Sequence, residues 1–439
     1  MQYISTQRQS KVPLAGAVAC CYAPDGGLYL PERLPLIPKA FFNNIEEMSL
    51  AEIGYVVART LLADEAPAAV VKAVADEAFN FPVPLVSLDS HLRLLELFNG
   101  PTLAFKDISA RFMAACLRHR IIAPDDKPCL VMVATTGNTG AAVAKAFERV
   151  PGIEVLVLYP RNALSPQQTV QFAAIGANVH AIEVAGSITD CKAMVRAAVT
   201  DPELAARYTV VSANTHNIMR ILPQVATFFH AYGRLRAREP RARIMNVAIP
   251  CGNLSNLVSA VMARRMGCPI GHIVAGCSIN DSLVRVLDGS LSPDHVTAVC
   301  HRTLARAMDS GYPTNLPRLL SLYDGDPARI AADGITAVRV DDDTIARTLT
   351  DIHAAYGYTA DPHTAVAVAA LQQVLPADPH SVVMATAHPA KSLAEMERIL
   401  GRLPRELTVP PSIALDAPQA IAKIAPSLPA LKRYISTNL

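Results

Sequence analysis

The feature that most constrains the fold is a rhythm. From about residue 128 onward, short apolar runs of strand length alternate with segments of helical character. The spacing predicts strands over residues 129–134, 155–159, 179–184, 208–212, 244–249, 272–275 and 382–385. It predicts helices over 141–149, 189–199, 218–235 and 257–266, a helix opened by Ser165-Pro166, and another from about 392. Apolar strands alternating with helices build βαβ units and a parallel sheet covered on both faces. In such sheets ligands bind beyond the carboxyl ends of the strands, so the loops after the strands are where chemistry is sought.

The first hundred residues lack this rhythm. They are Pro-rich over 31–38 and helical over about 49–64 and 67–78, which reads as a separate N-terminal cap region. Residues 81–84 and 123–128 are linker candidates, and the Pro-rich stretch after 401 carries no chemical signal.

Composition excludes several classes. Forty Lys and Arg face 38 Asp and Glu, which gives no electrostatic case for nucleic acid or an anionic membrane as partner. The nine cysteines are odd in number and scattered, without a CxxC pair. That pattern fits reduced thiols in a cytoplasmic protein, with neither a disulfide framework nor a metal site. Arg8 and Lys11 precede an apolar run over 14–22, but the run is short, contains Gly16 and leads into the turn Asp25-Gly26-Gly27, so export is not expected.

Three strand-to-helix loops have the design of ligand sites. Thr135-Thr136-Gly137-Asn138-Thr139-Gly140 offers two glycines, three hydroxyls and a helix start, which suits an anion. Cys251-Gly252-Asn253-Leu254-Ser255-Asn256 repeats that design. Two such loops in one sheet suggest two anions, such as a phosphate and a carboxylate. Thr386-Ala387-His388-Pro389-Ala390-Lys391 follows the 382–385 strand and can bring a hydroxyl to the same crevice; His388 reads as structural. Ahead of these loops, Lys106 follows the apolar run Leu103-Ala104-Phe105 at the start of a helix reaching about residue 118. Burial lowers a lysine pKa and frees its amine for Schiff-base chemistry, although the residue pattern alone also fits a surface lysine at a helix start.

The stretch from Leu95 to Asp107, LELFNGPTLAFKD, resembles the segment around the cofactor lysine of the threonine synthase family. The resemblance spans nearly the whole chain. It includes Tyr3 to Thr6, the Asp25-Gly26-Gly27-Leu28-Tyr29 segment, Leu158-Tyr159-Pro160, Ser212-Ala213-Asn214, Ala307-Met308-Asp309 and the Thr386 to Lys391 loop. It implies a fold of the tryptophan-synthase-β type (fold type II), with two open α/β domains around a pyridoxal 5'-phosphate cleft. The corresponding division is a cap over 1–95, a large domain over 96–127 with 213–404, a small domain over 128–212 and an extension over 405–439. By the same resemblance Lys106 forms the Schiff base and moves protons, with Phe105 beside it. Asn138 meets the ring hydroxyl oxygen, Gly252, Asn253, Leu254, Ser255 and Asn256 hold the cofactor phosphate, and Thr386 meets the pyridine nitrogen. Thr135, Thr136, Gly137 and Thr139, with Asn214, Asn217 and Arg220, fall to the substrate. The implied reaction converts O-phospho-L-homoserine and water to L-threonine and phosphate, in a monomer or homodimer.

The substrate side departs from the family pattern. Thr136 and Asn99 stand for Ser and His, Asn214-Thr215-His216-Asn217 replaces Asn-Ser-Ile-Asn, Ala163 replaces Lys, and Ser255 replaces Gly. Arg220 is retained, and it or Arg161 can replace the missing cation. The alternative reading is therefore a paralogue acting on another γ-substituted amino acid, or an elimination enzyme giving 2-oxobutyrate. A non-catalytic binding protein is disfavoured by Lys106, Asn138 and Thr386 together.

Overall fold

The rhythm of apolar runs becomes two parallel sheets. The computed structural model describes residues 1–62, 65–122, 127–162, 164, 171–172, 176, 178–297, 299–404, 407 and 421–439. The Ser165-Pro166 helix start and the Ala163 departure lie outside these.

The first sheet has five strands, all parallel, in the order Ala422–Ile424, Val179–Val184, Ile153–Pro160, Cys129–Ala134 and Thr209–Ser212. Every residue of Cys129–Ala134 is buried. Val131 and Val133 enter one core while Leu130 and Met132 enter another. Successive strand side chains point to opposite faces, so a strand covered on both reads as a continuous apolar run.

The second sheet has six strands, in the order Ile335–Arg339, Ile270–Cys277, Met245–Cys251, Ser381–Ala385, Arg93–Glu96 and Leu85–Ser87. Only the last pair is antiparallel. One face carries the helix Pro362–Val374, whose residues Pro362 to Leu371 are all buried. A helix apolar all round is a core helix, and its alternating Ala and Val give no amphipathic stripe to read.

Both sheets recruit residues from outside the rhythmic region. Leu85–Ser87 and Arg93–Glu96 come from the stretch preceding it, and Ala422–Ile424 from the C-terminal stretch. Ahead of them, Gln2–Ser5 pairs with Lys11–Pro13 and Tyr29–Pro31 in a small antiparallel sheet. The apolar run after Lys11 is the helix Leu14–Cys20, with Leu14, Ala17 and Val18 buried. Among the described residues, no helix is long and apolar enough to cross a membrane.

One expected helix is broken. Residues 218–235 form two 3-10 turns, Ile218–Arg220 and Leu222–Gln224, before the α-helix Val225–Arg238 begins. Pro223 lacks an N–H and clashes with a preceding helical turn, so regular helix can start only after it. The interruption fixes Arg220 in a tight turn beside the helix Lys106–Arg118.

Candidate active site

The segment before Lys106 is stitched to the loop after Ser381–Ala385. The Phe105 amide donates to the Thr386 carbonyl at 2.9 Å, the His388 amide donates to the Leu103 carbonyl at 3.0 Å, and Ala104 bridges Ala387. Leu103 takes a left-handed conformation at φ 57, a strain of about 1–2 kcal/mol for a residue with a Cβ. The next turn folds over Asp107, whose carboxylate accepts from the Thr102 amide at 2.8 Å and the Thr102 hydroxyl at 2.7 Å. A Cβ on Gly100 would stand 2.6 Å from Asp107 Oδ2, so the turn requires glycine. These contacts place Lys106 at the first position of its helix, with Nζ 4.7 Å from the centre of the Phe105 ring. Burial pushes its amine down to about 8, and the Arg220 guanidinium adds to the shift.

Lys106 lines an open cavity at the carboxyl ends of the strands. All nine residues expected to meet the cofactor come together in its wall: Phe105, Lys106, Asn138, Gly252, Asn253, Leu254, Ser255, Asn256 and Thr386. Lys106 Nζ, the Asn138 amide and the Thr386 hydroxyl have no hydrogen-bond partner among the described residues. Asn256 Oδ1 is buried and also unpartnered. Leu254 takes φ 64 and opens the helix Ser255–Arg265, and Asn253 Oδ1 accepts from the Ser255 amide at 3.0 Å. First-turn helix amides lack partners within the helix and attract anions, so this wall suits a phosphate. Free amine, free amide, free hydroxyl and anion cradle together fit pyridoxal phosphate.

The residues expected to meet substrate lie outside the cavity wall. Thr135 turns inward, where its hydroxyl accepts from the amides of Gly137 and Gly140, each at 3.0 Å. Gly137, at φ 144, holds the bend that side chains rarely adopt. Thr136 is exposed and Thr139 half-buried in the same loop. Asn214 grips the backbone of Ala134, accepting from its amide at 2.9 Å and donating to its carbonyl at 2.8 Å. Asn217 is fully buried and donates to the carbonyls of Val18 and Ser212. His216 stacks on Tyr22 at 4.7 Å, its imidazole held neutral by burial and by the Arg318, Lys192 and Arg196 cations. His388 accepts from the Ala390 amide and packs edge-on to Phe98.

Arg220 is different. It is fully buried, and none of its three guanidinium nitrogens has a hydrogen-bond partner among the described residues. Burial pushes its pKa down to about 10, with Asp107 opposing the shift, so it stays charged at neutral pH. A buried cation with no hydrogen-bonded partner is costly and marks a place for an anion. Arg161, the other candidate cation, pairs with Glu183 at 3.1 Å.

Sequence reasoning passed over several groups. Ala307 and His363 also line the cavity. Arg318 is fully buried and donates to the carbonyls of Tyr29, Thr215 and His216 at 2.5–2.9 Å. Asn315, one turn earlier, donates through its amide nitrogen to the Asn253 carbonyl at 3.0 Å. Together they brace the 252–256 loop against the 214–217 loop. The Asp361-Pro362-His363 step is a visible helix-start signal, with Asp as cap and Pro at the first position.

Comparison with known proteins identifies the family. Residues 82–386 match the family model "Pyridoxal-phosphate dependent enzyme", and residues 2–79 match "Threonine synthase N terminus". The threonine synthase of Escherichia coli (strain K12) is 35% identical over 409 residues, covering 92% of this chain and 93% of that protein. The crystal structure of threonine synthase from Escherichia coli superimposes with a TM-score of 0.87 at 32% identity, covering all of both chains. The structure of PLP-bound threonine synthase from Brucella melitensis gives 0.87 at 27% identity, covering 100% of this chain and 99% of that one.

Proposed function

Since the chain belongs to the pyridoxal-phosphate dependent enzymes and, within them, to the threonine synthases, we propose that its substrate is O-phospho-L-homoserine and that Lys106 is the amine that anchors the cofactor and moves protons. The observation that carries the substrate is Arg220. Its charge is fully buried, unpartnered and within electrostatic reach of Lys106. An uncharged γ-substituent would leave that cation unpaired, whereas a phosphate dianion satisfies it and gains charge-assisted hydrogen bonds.

Each residue then has a task. The Gly252 to Asn256 loop and the start of its helix hold the cofactor phosphate. Asn138 orients the ring by its free amide, and the neutral Thr386 hydroxyl meets the pyridine nitrogen without fixing a charge there. Bound in this way, pyridoxal phosphate supplies an electron sink that acidifies the substrate carbons. Lys106, whose pKa of about 8 lies close to neutrality, takes and returns protons on those carbons. Arg220 holds the phosphate before and as it leaves. Asn214, Asn217 and Thr135 set the loops around these groups. Water and the phosphorylated amino acid yield threonine and phosphate.

The test is stoichiometry. Purified holoenzyme given O-phosphohomoserine should form threonine and phosphate in equal amounts, and Lys106→Ala should lose at least about 10³-fold in kcat. Borohydride reduction should place the cofactor label on the peptide holding Lys106. Phosphate released with 2-oxobutyrate and no threonine would instead support the elimination reading.

A further inference from the structure

His363 stands in the cavity wall with no task in the reaction described so far. It is 5% exposed, and its Nδ1 is hydrogen-bonded to the carboxylate of Asp361, which is 1% exposed. The same carboxylate caps the helix Pro362–Val374, accepting from the amides of His363 at 3.2 Å and Thr364 at 3.0 Å. Burial works against its charge, but the His363 imidazole and the Thr364 donors outweigh burial and hold it ionised, below the usual carboxylate range. An ionised carboxylate only accepts hydrogen bonds. In the neutral imidazole the proton is therefore on Nδ1, and Nε2 presents a lone pair. Asp309, from the segment that also contributes Ala307, faces His363 as well; its carboxylate accepts from the Thr303 amide and hydroxyl. Nε2 is buried and has no hydrogen-bond partner among the described residues. A buried acceptor left alone costs about 1–3 kcal/mol, so the loaded site should supply a donor.

The reactants offer few donors. Phosphates, carboxylate and the cofactor's ring oxygen are acceptors, and the pyridine nitrogen is assigned to Thr386. The remaining strong donor is the water that becomes the product hydroxyl. We propose that His363, its tautomer fixed by Asp361, accepts a hydrogen bond from this water and holds it for addition at the β-carbon. The inference rests on the threonine synthase reading given above.

Product partition tests it. In the parent holoenzyme threonine and phosphate should appear one to one. His363→Phe cannot accept from water but keeps a ring in the wall. It should still release phosphate, while the share of product diverted to 2-oxobutyrate and ammonia rises at least about tenfold. Asp361→Asn retains a good helix cap and frees the tautomer, and should shift the partition in the same direction by less. Nitrogen-15 spectra of histidine-labelled holoenzyme without substrate should show His363 protonated on Nδ1 in the parent and tautomerically mixed in Asp361→Asn. If both variants keep the parental one-to-one ratio, or His363 carries its proton on Nε2 in the parent, the proposal fails while the threonine synthase reading stands. If the parent itself forms no threonine, that reading fails first. Should His363→Phe not fold, the partition and spectrum of Asp361→Asn decide.

Discussion

The two halves of the site are built on opposite plans. On the cofactor half, Lys106, Asn138 and Thr386 carry polar groups with no partner among the described residues, all in one cavity wall. On the substrate half, Thr135, Asn214 and Asn217 have bound their polar groups to backbone, and Arg220 alone leaves an entire guanidinium unpaired. The first half is a set of open hands; the second is a frame around one charge. Residues of the same chemical type, even of the same name, therefore differ in setting: the Asn138 amide has no partner among the described residues, while the Asn214 amide holds Ala134. Unsatisfied polarity, more than residue identity, distinguishes a binding group from a brace.

The largest effect expected from this contrast is at Arg220. Arg220→Met removes the unpartnered guanidinium of the substrate half. Activity measured as kcat/KM for O-phosphohomoserine should fall by about 30- to 1000-fold, the 2–4 kcal/mol of a lost buried charge contact. The same change should raise the melting temperature of the substrate-free enzyme, because an unpaired buried cation is removed. Cofactor affinity, followed by absorbance, should hold. A variant that lost stability and kept its kcat/KM would mean that Arg220 is another brace, and the contrast would collapse.

Much of the cofactor half was legible in the sequence, because its logic is local. A strand, a loop and a helix start can be read from consecutive residues, and the Asn138, 252–256 and 386 positions each sit at such a junction, with glycines in the first two; Lys106 sits at a helix start, and the cofactor roles came from the family resemblance. The substrate half was not legible in the same way. That Asn214 would reach Ala134, or that Arg318 would brace carbonyls at Tyr29, Thr215 and His216, depends on segments far apart in the chain. The sheets divided similarly. Strands buried on both faces announced themselves as apolar runs, whereas Ile335–Arg339, half-buried along most of its length, did not. Arg93–Glu96 is too short to stand out, and the helix Pro362–Val374 has no polar face to give it a period. Pro223 was visible, yet its consequence, a turn that seats Arg220, required the packing of that turn on the Lys106 helix.

An intermediate effect concerns protonation on the cofactor half. Lys106 is held near 8, below the ordinary lysine value of about 10.4, first by burial and then by Arg220. A lowered pKa means that the neutral, reactive amine dominates above pH 8. Uptake of pyridoxal phosphate by the cofactor-free enzyme should therefore speed up by about tenfold from pH 7 to pH 9 and level off there. In Arg220→Met the inflection should move upward, since a neighbouring positive charge has gone. An inflection left above pH 10 would place Lys106 in water rather than in the wall.

The smallest effect on turnover, and the sharpest test of the word brace, is at Asn214. Asn214→Ala leaves the Ala134 amide and carbonyl without their partner at the end of the strand Cys129–Ala134. Both belong to a residue only 3% exposed, so stability should fall by about 1–3 kcal/mol. The Thr135 to Gly140 loop begins at that point, and loosening it should cost kcat/KM no more than about tenfold. Denaturant unfolding and steady-state kinetics on the same preparation separate the two quantities. A brace loses stability first and activity second. A direct substrate ligand would show the reverse, with unfolding unchanged and KM raised steeply, and Asn214 would then join Arg220 on the receiving side of the site.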